Sequence, residues 1–503
     1  MDDSSSPEWA KFGGTLTLPL KAMEFDGLQS KTREEQFLTK LLETLPNRFT
    51  GLDASRPWII YWCIHSLALM NVTLDPASRQ RAAKTILSFQ NPDGGFGGGI
   101  GQMPHLAPTY ASIMALAITG DEQSWEKIDR RKMLKWLLSL KQKDGSFIMH
   151  HGGEVDVRGV YCALCVAVLL NILTPSLASG TEHFVISCQT YEGGLAAASL
   201  PYSDNLSTPT GEAHGGYAFC ALASYHMLHA LPYAPSTSTL SMKRSLDLGN
   251  LYRWAAGLQG LPIEGGGFRG RTNKLVDGCY NWWCGGLFPI LMAEMEKEKR
   301  ANKVVQNGDA GANANGGGIS VDDDWEDEDE QDIANLGYDR VAAQEYVLLI
   351  AQLKTGGFRD KPGKAVDAYH TSSNLSGLCS SQHKMVWSTS LAEQLSTIFQ
   401  DPYSQDTEGT FPLVNGLPQG TMHLIKDEKE TEEAAANRMK ENFIRALSWT
   451  EDERGKIIVG HPENELVLAH PIYNVTIESA QRIISHFYRQ PLEKFSNLKG
   501  DLH

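Results

Sequence analysis

The stretch VYCALCVAVLLNIL (160–173) offers a folded chain almost no polar face. A helix that is apolar all round has to be buried all round. The same pattern recurs in WIIYWCIHSLALM (58–70), TYASIMALAIT (109–119), YAFCALASYHML (217–228) and YNWWCGGLFPILM (280–292), and more weakly in HTSSNLSGLCSSQ (370–382). Segments of the opposite kind lie between them. RRKMLKWLLSLKQ (130–142) is the clearest, with apolar residues on one side only. The alternation predicts amphipathic outer helices packed around buried inner ones, and strand signals are sparse.

Glycine-rich turns punctuate the alternation at FQNPDGGFGGG (89–99), LKQKDGSFIMH (140–150), CQTYEGGLAAA (188–198), IEGGGFRGR (263–271) and AQLKTGGFRDK (351–361). A glycine there supplies the positive φ that stops an outer helix. From Phe96 to Phe147 to Leu195 the spacing is 51 and then 48 residues; it lengthens to 73 at Phe268 and 90 at Phe358. A period near 50 signals stacked supersecondary units. Closed on itself, the array is an all-α, α–α toroid of the α6/α6 barrel type, with turns and inner-helix starts sharing one rim around a central cavity.

Composition changes this picture little. The chain has 503 residues, 42% of them apolar, and a formal charge of −15, which disfavours nucleic acid or an anionic membrane as partner. Nine acids in eleven residues (322–332) follow a Gly/Ala/Asn-rich run, so about 304–334 reads as a disordered insertion. Residues 1–30 read as an N-terminal extension and 31–503 as one catalytic domain, with a further charged insertion, partly a surface helix, at about 401–460. No signal peptide, lipidation motif or membrane span is apparent. The eight cysteines lack regular spacing, consistent with a reduced, cytoplasmic protein. Cys162 and Cys165 read as packing residues.

The chemistry lies at the inner-helix starts. Trp58, Trp62, His105, Tyr110, Arg158, Tyr161, His214, Tyr217, Tyr369 and His370 recur there, with Asp277 to Trp283. Aromatic walls suit a long apolar ligand, and Arg271, Lys274, His214 and Tyr280 beside helix N-termini suit an anion. Asp277 and Cys279 form a weak metal signal alone. His370 starts the last inner helix, where ring closure would supply a third ligand and leave one position open, as in a catalytic zinc site.

DASRPWIIYW, DGGFGGGIGQMPHLAPTY, DGSFIMHHGGEVDVRGVYC, EAHGGYAFC, GFRGRTNKLVDGCYNWW and DKPGKAVDAYHT resemble the protein prenyltransferase β-subunit family, and within it the farnesyltransferase branch, over about 50–300 and 340–485. The resemblance implies an enzyme that transfers farnesyl from farnesyl diphosphate to the cysteine of a C-terminal Cys-a-a-X motif, with small GTPases among the acceptors. It implies an obligate heterodimer with an α subunit. It assigns zinc to Asp277, Cys279 and His370, with Lys274 and Tyr280 joining them in catalysis. Diphosphate falls to His214, Arg271, Lys274 and Tyr280, and magnesium on the diphosphate to Asp360. The farnesyl chain falls to Trp58, Arg158, Tyr161, Tyr217, Cys220 and Trp283. The acceptor falls to Ser55, Trp58, Trp62, His105, Ala107, Met149 and Tyr369.

The nearest alternative is a geranylgeranyltransferase type I β subunit. Trp58 is bulky where those enzymes have a small residue, and Asp360 is acidic where they tend to have lysine. Ser373 replaces an aromatic of animal farnesyltransferases near the slot's end; with Trp58 in place, farnesyl remains the expected donor. A triterpene cyclase lacks support, since no repeat carries Asp-x-Asp-Asp. A non-catalytic toroid that binds partners is the remaining alternative.

Overall fold

In this computed structural model the described residues are 31–203, 206–228, 245–309, 337–402 and 424–490. The expectations for 1–30 and for most of 304–334 and 401–423 fall outside them. Outer and inner helices alternate as the pattern predicts. The outer set is α1 (Lys31–Glu43), α3 (Pro76–Leu87), α5 (Arg130–Leu140), α7 (Thr181–Ser187), α9 (Leu248–Ala256) and α12 (Arg340–Glu345). The inner set is α2 (Arg56–Leu69), α4 (Leu106–Thr119), α6 (Val157–Leu169), α8 (Gly215–Leu228), α10 (Tyr280–Trp283) continued by α11 (Leu287–Asp309), and α13 (Ala368–Gln382). Each inner helix packs on the next, and α13 packs on both α10 and α2, so the ring closes. In α4 every residue but Ala107 and Ile118 is buried.

The 280–292 segment departs from one continuous inner helix. It breaks at Cys284-Gly285-Gly286. A Cβ at Gly285 would stand 2.3 Å from the Asn281 carbonyl oxygen, and one at Gly286 2.6 Å from that of Trp282. The sequence carried the signal in its paired glycines.

The glycine turns do more than stop helices, because each docks on the next outer helix. At Gly94 (φ 112°) a Cβ would lie 2.4 Å from the Lys132 carbonyl oxygen, and at Gly95 2.8 Å from the Trp136 ring. The turn therefore sits flush on α5, a position only glycine can fill. The fifth turn meets α1: at Gly356 (φ 90°) a Cβ would lie 2.7 Å from the Arg33 carbonyl oxygen. The buried Glu34 carboxylate accepts the Gly357 N–H. This contact joins the last repeat to the first helix. Each turn also forms a single antiparallel bridge, from Gln90–Phe96 through Gln352–Phe358.

The far end of the ring is filled by the chain's own C-terminal part. Residues Ile472–Asn474 present three successive carbonyl oxygens to the interior. Tyr161, Tyr110 and Tyr61 donate their hydroxyls to them at 2.7, 3.0 and 2.6 Å. Helix α16 (Ile477–Tyr488) then packs on α4 and α6. Before it come α14 (Thr389–Ile398), α15 (Glu432–Leu447) and a ribbon pairing β3 (Met385–Trp387) with β4 (Trp449–Glu451); a hairpin of β1 (Ala198–Ser203) and β2 (Leu206–Thr210) lies earlier in the chain. The helix expected within 401–460 is α15, which keeps Glu432, Glu433 and Glu441 exposed and buries its other face. Helix α15 buries Met439, Phe443 and Arg438, whose guanidinium caps the Leu173 and Ile425 carbonyls and pairs with Glu430. All eight cysteines are reduced and buried, Cys162 and Cys165 included. Among the described residues, no helix is long and apolar enough to cross a membrane.

Candidate active site

Five of the six inner helices, all but α2, share a device at their starts. A side chain at or just ahead of the first turn accepts a free backbone N–H: His105 from Ala107, Asp156 from Arg158, His214 from Gly216, Asp277 from Cys279 and Asp367 from His370. Such caps contribute about 1 kcal/mol each. They also fix these polar side chains along one rim.

Asp277, Cys279 and His370 place a carboxylate oxygen, a thiol and an imidazole nitrogen within 4.8 Å of one another. Asp277 comes from the approach to α10 and His370 from the start of α13, successive inner helices that pack on each other. The Nε2 of His370 is 3.4 Å from Asp277 Oδ1, and its Nδ1 donates to Asp367 Oδ2 at 2.7 Å. The carboxylate behind the ring fixes the tautomer and turns Nε2 toward the cluster, an arrangement usual behind metal-bound histidines. Burial opposes charge on both groups. The mutual attraction nonetheless holds Asp277 at about 2 and, with Asp367, pushes His370 up to about 9. Burial and then Asp277 raise the Cys279 thiol. One thiolate, one imidazole and one carboxylate make a donor set suited to Zn²⁺, with room for a fourth ligand.

An aromatic wall adjoins the cluster. Tyr369 follows Trp62 at 5.4 Å between ring centroids and accepts the Trp283 indole N–H at 3.0 Å. Trp58 packs on Trp62 and Tyr110 at 5.6 and 5.7 Å. Phe219, which the sequence reading did not single out, joins Trp283 to Tyr161 at 5.4 and 5.8 Å. Cys220 is buried. Arg158 stays half-exposed, pairs with Asp156 at 2.5 Å and lies over the Tyr217 ring. Of the remaining candidates, Ser55 precedes α2, the His105 and His150 rings are 5.2 Å apart, Met149 is buried, and Ala107 and Ser373 lie on α4 and α13.

The four anion-binding candidates are only partly assembled. His214 and Tyr280 are bonded, Nε2 to hydroxyl, at 3.0 Å. Because His214 Nδ1 already accepts the Gly216 N–H, Nε2 carries the proton in the neutral ring, and burial lowers the pKa of that ring. Tyr280 therefore accepts from His214 and keeps its own O–H to donate. Arg271 is ion-paired with Glu212, a residue the sequence reading missed. Lys274 is exposed, and among the described residues its side chain makes no ion pair. Asp360 pairs with Lys361 at 2.6 Å; burial and the Asp277 carboxylate raise it, against the lysine.

The prenyltransferase α–α toroid domain matches residues 30–475. A protein farnesyltransferase subunit beta of Pyricularia oryzae is 37% identical over 370 residues, 70% of this chain and 63% of that protein. One from Pisum sativum is 37% identical over 386 residues, 72% of this chain and 86% of its own length. A geranylgeranyl transferase type-1 subunit beta of Arabidopsis thaliana reaches 27% over 366 residues. The solved Candida albicans protein geranylgeranyltransferase-I complexed with GGPP shares the fold, with a TM-score of 0.50 over 69% of this chain and 90% of that one, at 21% identity. The chain belongs to the prenyltransferase α–α toroid family, in the branch of the protein farnesyltransferase β subunits.

Proposed function

We propose that this chain is the catalytic β subunit of a cytoplasmic protein farnesyltransferase. It joins farnesyl, from farnesyl diphosphate, to the cysteine thiol of Cys-a-a-X proteins such as small GTPases, together with an α subunit. The observation that carries the proposal is the Asp277–Cys279–His370 cluster, set where α13 packs on α10 beside an aromatic wall. Zn²⁺ held by those three side chains would supply the positive charge that keeps an acceptor thiol deprotonated at neutral pH.

The chain's own residues do the rest. The sulfur forms its bond to the first farnesyl carbon while the carbon–oxygen bond to diphosphate breaks, so negative charge grows on the leaving group. Tyr280, oriented by His214, has a hydroxyl proton to donate to that group. Arg271 and Lys274 add charge at the same rim, Arg271 after exchanging Glu212 for the phosphate. Asp360, beside the cluster, is placed to hold Mg²⁺ on the diphosphate. Trp283, Tyr217, Tyr161, Arg158 and Cys220 line the slot for the chain, and burial there keeps water from the allylic diphosphate. Trp62 and Tyr369 face the acceptor's aliphatic residue. Ser55, His105, Ala107 and Met149 face its last residue.

Trp58 sits across Tyr110 and Tyr61 where a longer isoprenoid would run, which favours farnesyl over geranylgeranyl. The test is transfer of labelled isoprenoid to a Cys-a-a-X peptide by the α–β pair, with the two donors in competition. Farnesyl should win, and Trp58→Thr should shift the ratio at least about tenfold toward geranylgeranyl, the scale set by pocket volume. A wild-type preference for geranylgeranyl, or no transfer at all, refutes the reading.

A further inference from the structure

On the outer side of the loop that carries Arg271 lies a cleft of about 560 Å³, between α9 and residues 264–274. Its volume falls within the ordinary range of small-molecule sites. Arg253, Arg269 and Lys274 line it, over a base of Trp254 and Leu258. Its acid is Glu264, already committed to Arg269 and to the Leu261 N–H. Among the described residues Arg253 makes no ion pair and, like Lys274, is exposed. The lining itself carries an excess of two positive charges, with the amide of Asn273 beside them; the Thr272 hydroxyl donates to Glu192 at its edge, which lowers the local excess to one.

The cleft shares Lys274 with the reaction rim, and Arg271 lies between Arg269 and Lys274 in the same loop.

We propose that this cleft is a second anion site, which takes inorganic diphosphate as it departs from the reaction site. The proposal rests on the farnesyl-transfer reading. No bond changes in it: the diphosphate, already cut from the farnesyl carbon, exchanges Tyr280 and Arg271 for Arg269 and Arg253, with Lys274 common to both positions. Charge-assisted contacts to a multivalent anion make such a station selective for diphosphate over singly charged ions.

The α–β pair is first saturated with a farnesyl diphosphate analogue whose bridging oxygen is replaced by methylene, so that the reaction site is filled. Calorimetric titration with inorganic diphosphate should then show one further molecule bound. Arg253→Gln should weaken that binding about tenfold, and Arg253→Lys should restore most of it. Single-turnover farnesyl transfer should be unchanged in both, while steady-state inhibition by diphosphate should ease in Arg253→Gln. The proposal is overturned if the filled enzyme binds no diphosphate. It is overturned equally if Arg253→Gln binds diphosphate like wild type, or if sulfate or a polyglutamate peptide binds the cleft more tightly. Failure of wild-type enzyme to transfer farnesyl at all would instead sink the underlying reading.

Discussion

The two ends of the toroid use the same residue types to opposite effect. At the rim the groups are only part-buried and are fixed from behind, His370 by Asp367 and His214 by the Gly216 N–H, and His214 in turn holds Tyr280 and leaves that hydroxyl its own proton. At the filled end the groups are buried. His470 donates to the Ala446 carbonyl and accepts from Ile472, and His65 bonds Ser376 and Asn474 through one nitrogen. Tyr61, Tyr110 and Tyr161 give their protons to backbone oxygens. Tyr280 stays available because the fold fixes its orientation and leaves its proton unclaimed.

If the contrast holds, removing a rim atom should cost activity and spare the fold. Cys279→Ala should have the largest effect: zinc content and transfer both fall to background, while the thermal midpoint measured without metal stays within a few degrees. Lys274→Ala should lower kcat by about 10²–10³ with zinc retained, the scale for one stabilising group at a developing anion. Equal losses of zinc and rate in that variant would merge two corners of the site that the structure keeps apart. Asp367→Asn should weaken zinc binding about 10–100-fold, measured by chelator competition. Unchanged affinity there would mean that Asp367 only caps α13.

The smallest effect concerns the filled end, and it should appear in stability rather than in rate. Burial lowers His65 and His226 to about 4 and His470 to about 3. The unfolded chain takes up these protons near 6.5 while the folded chain refuses them. Stability is therefore complete above pH 6.5 and declines as pH falls toward 4, by at most about 1.4 kcal/mol per pH unit for each histidine. Urea midpoints of the α–β pair at pH 7 and pH 5 should differ in that direction; equal midpoints would break the contrast.

Legibility followed the same division. Inner helices could be read because an all-apolar face leaves no alternative to burial, and the glycine turns because positive φ has a short residue menu. Asp277 and Cys279 stood together in sequence, and His370 joined them through the packing of α13 on α10. Glu212, Asp367 and Phe219 were missed because nothing local distinguishes them: each matters through a partner 59, 3 or 64 residues away, at Arg271, His370 and Trp283. The helix α15 was read as a surface element because its charges are many, yet Arg438 is buried against carbonyls that sequence distance hides.

The Glu34–Gly357 contact has a consequence for biosynthesis. A polypeptide emerging from the ribosome cannot bring its first helix against its fifth turn until more than three hundred intervening residues have been made. The turn that this contact locks is followed by the stretch carrying His370. Nascent chains halted before residue 357 therefore lack both the lock and His370, and the three-residue cluster cannot form on them.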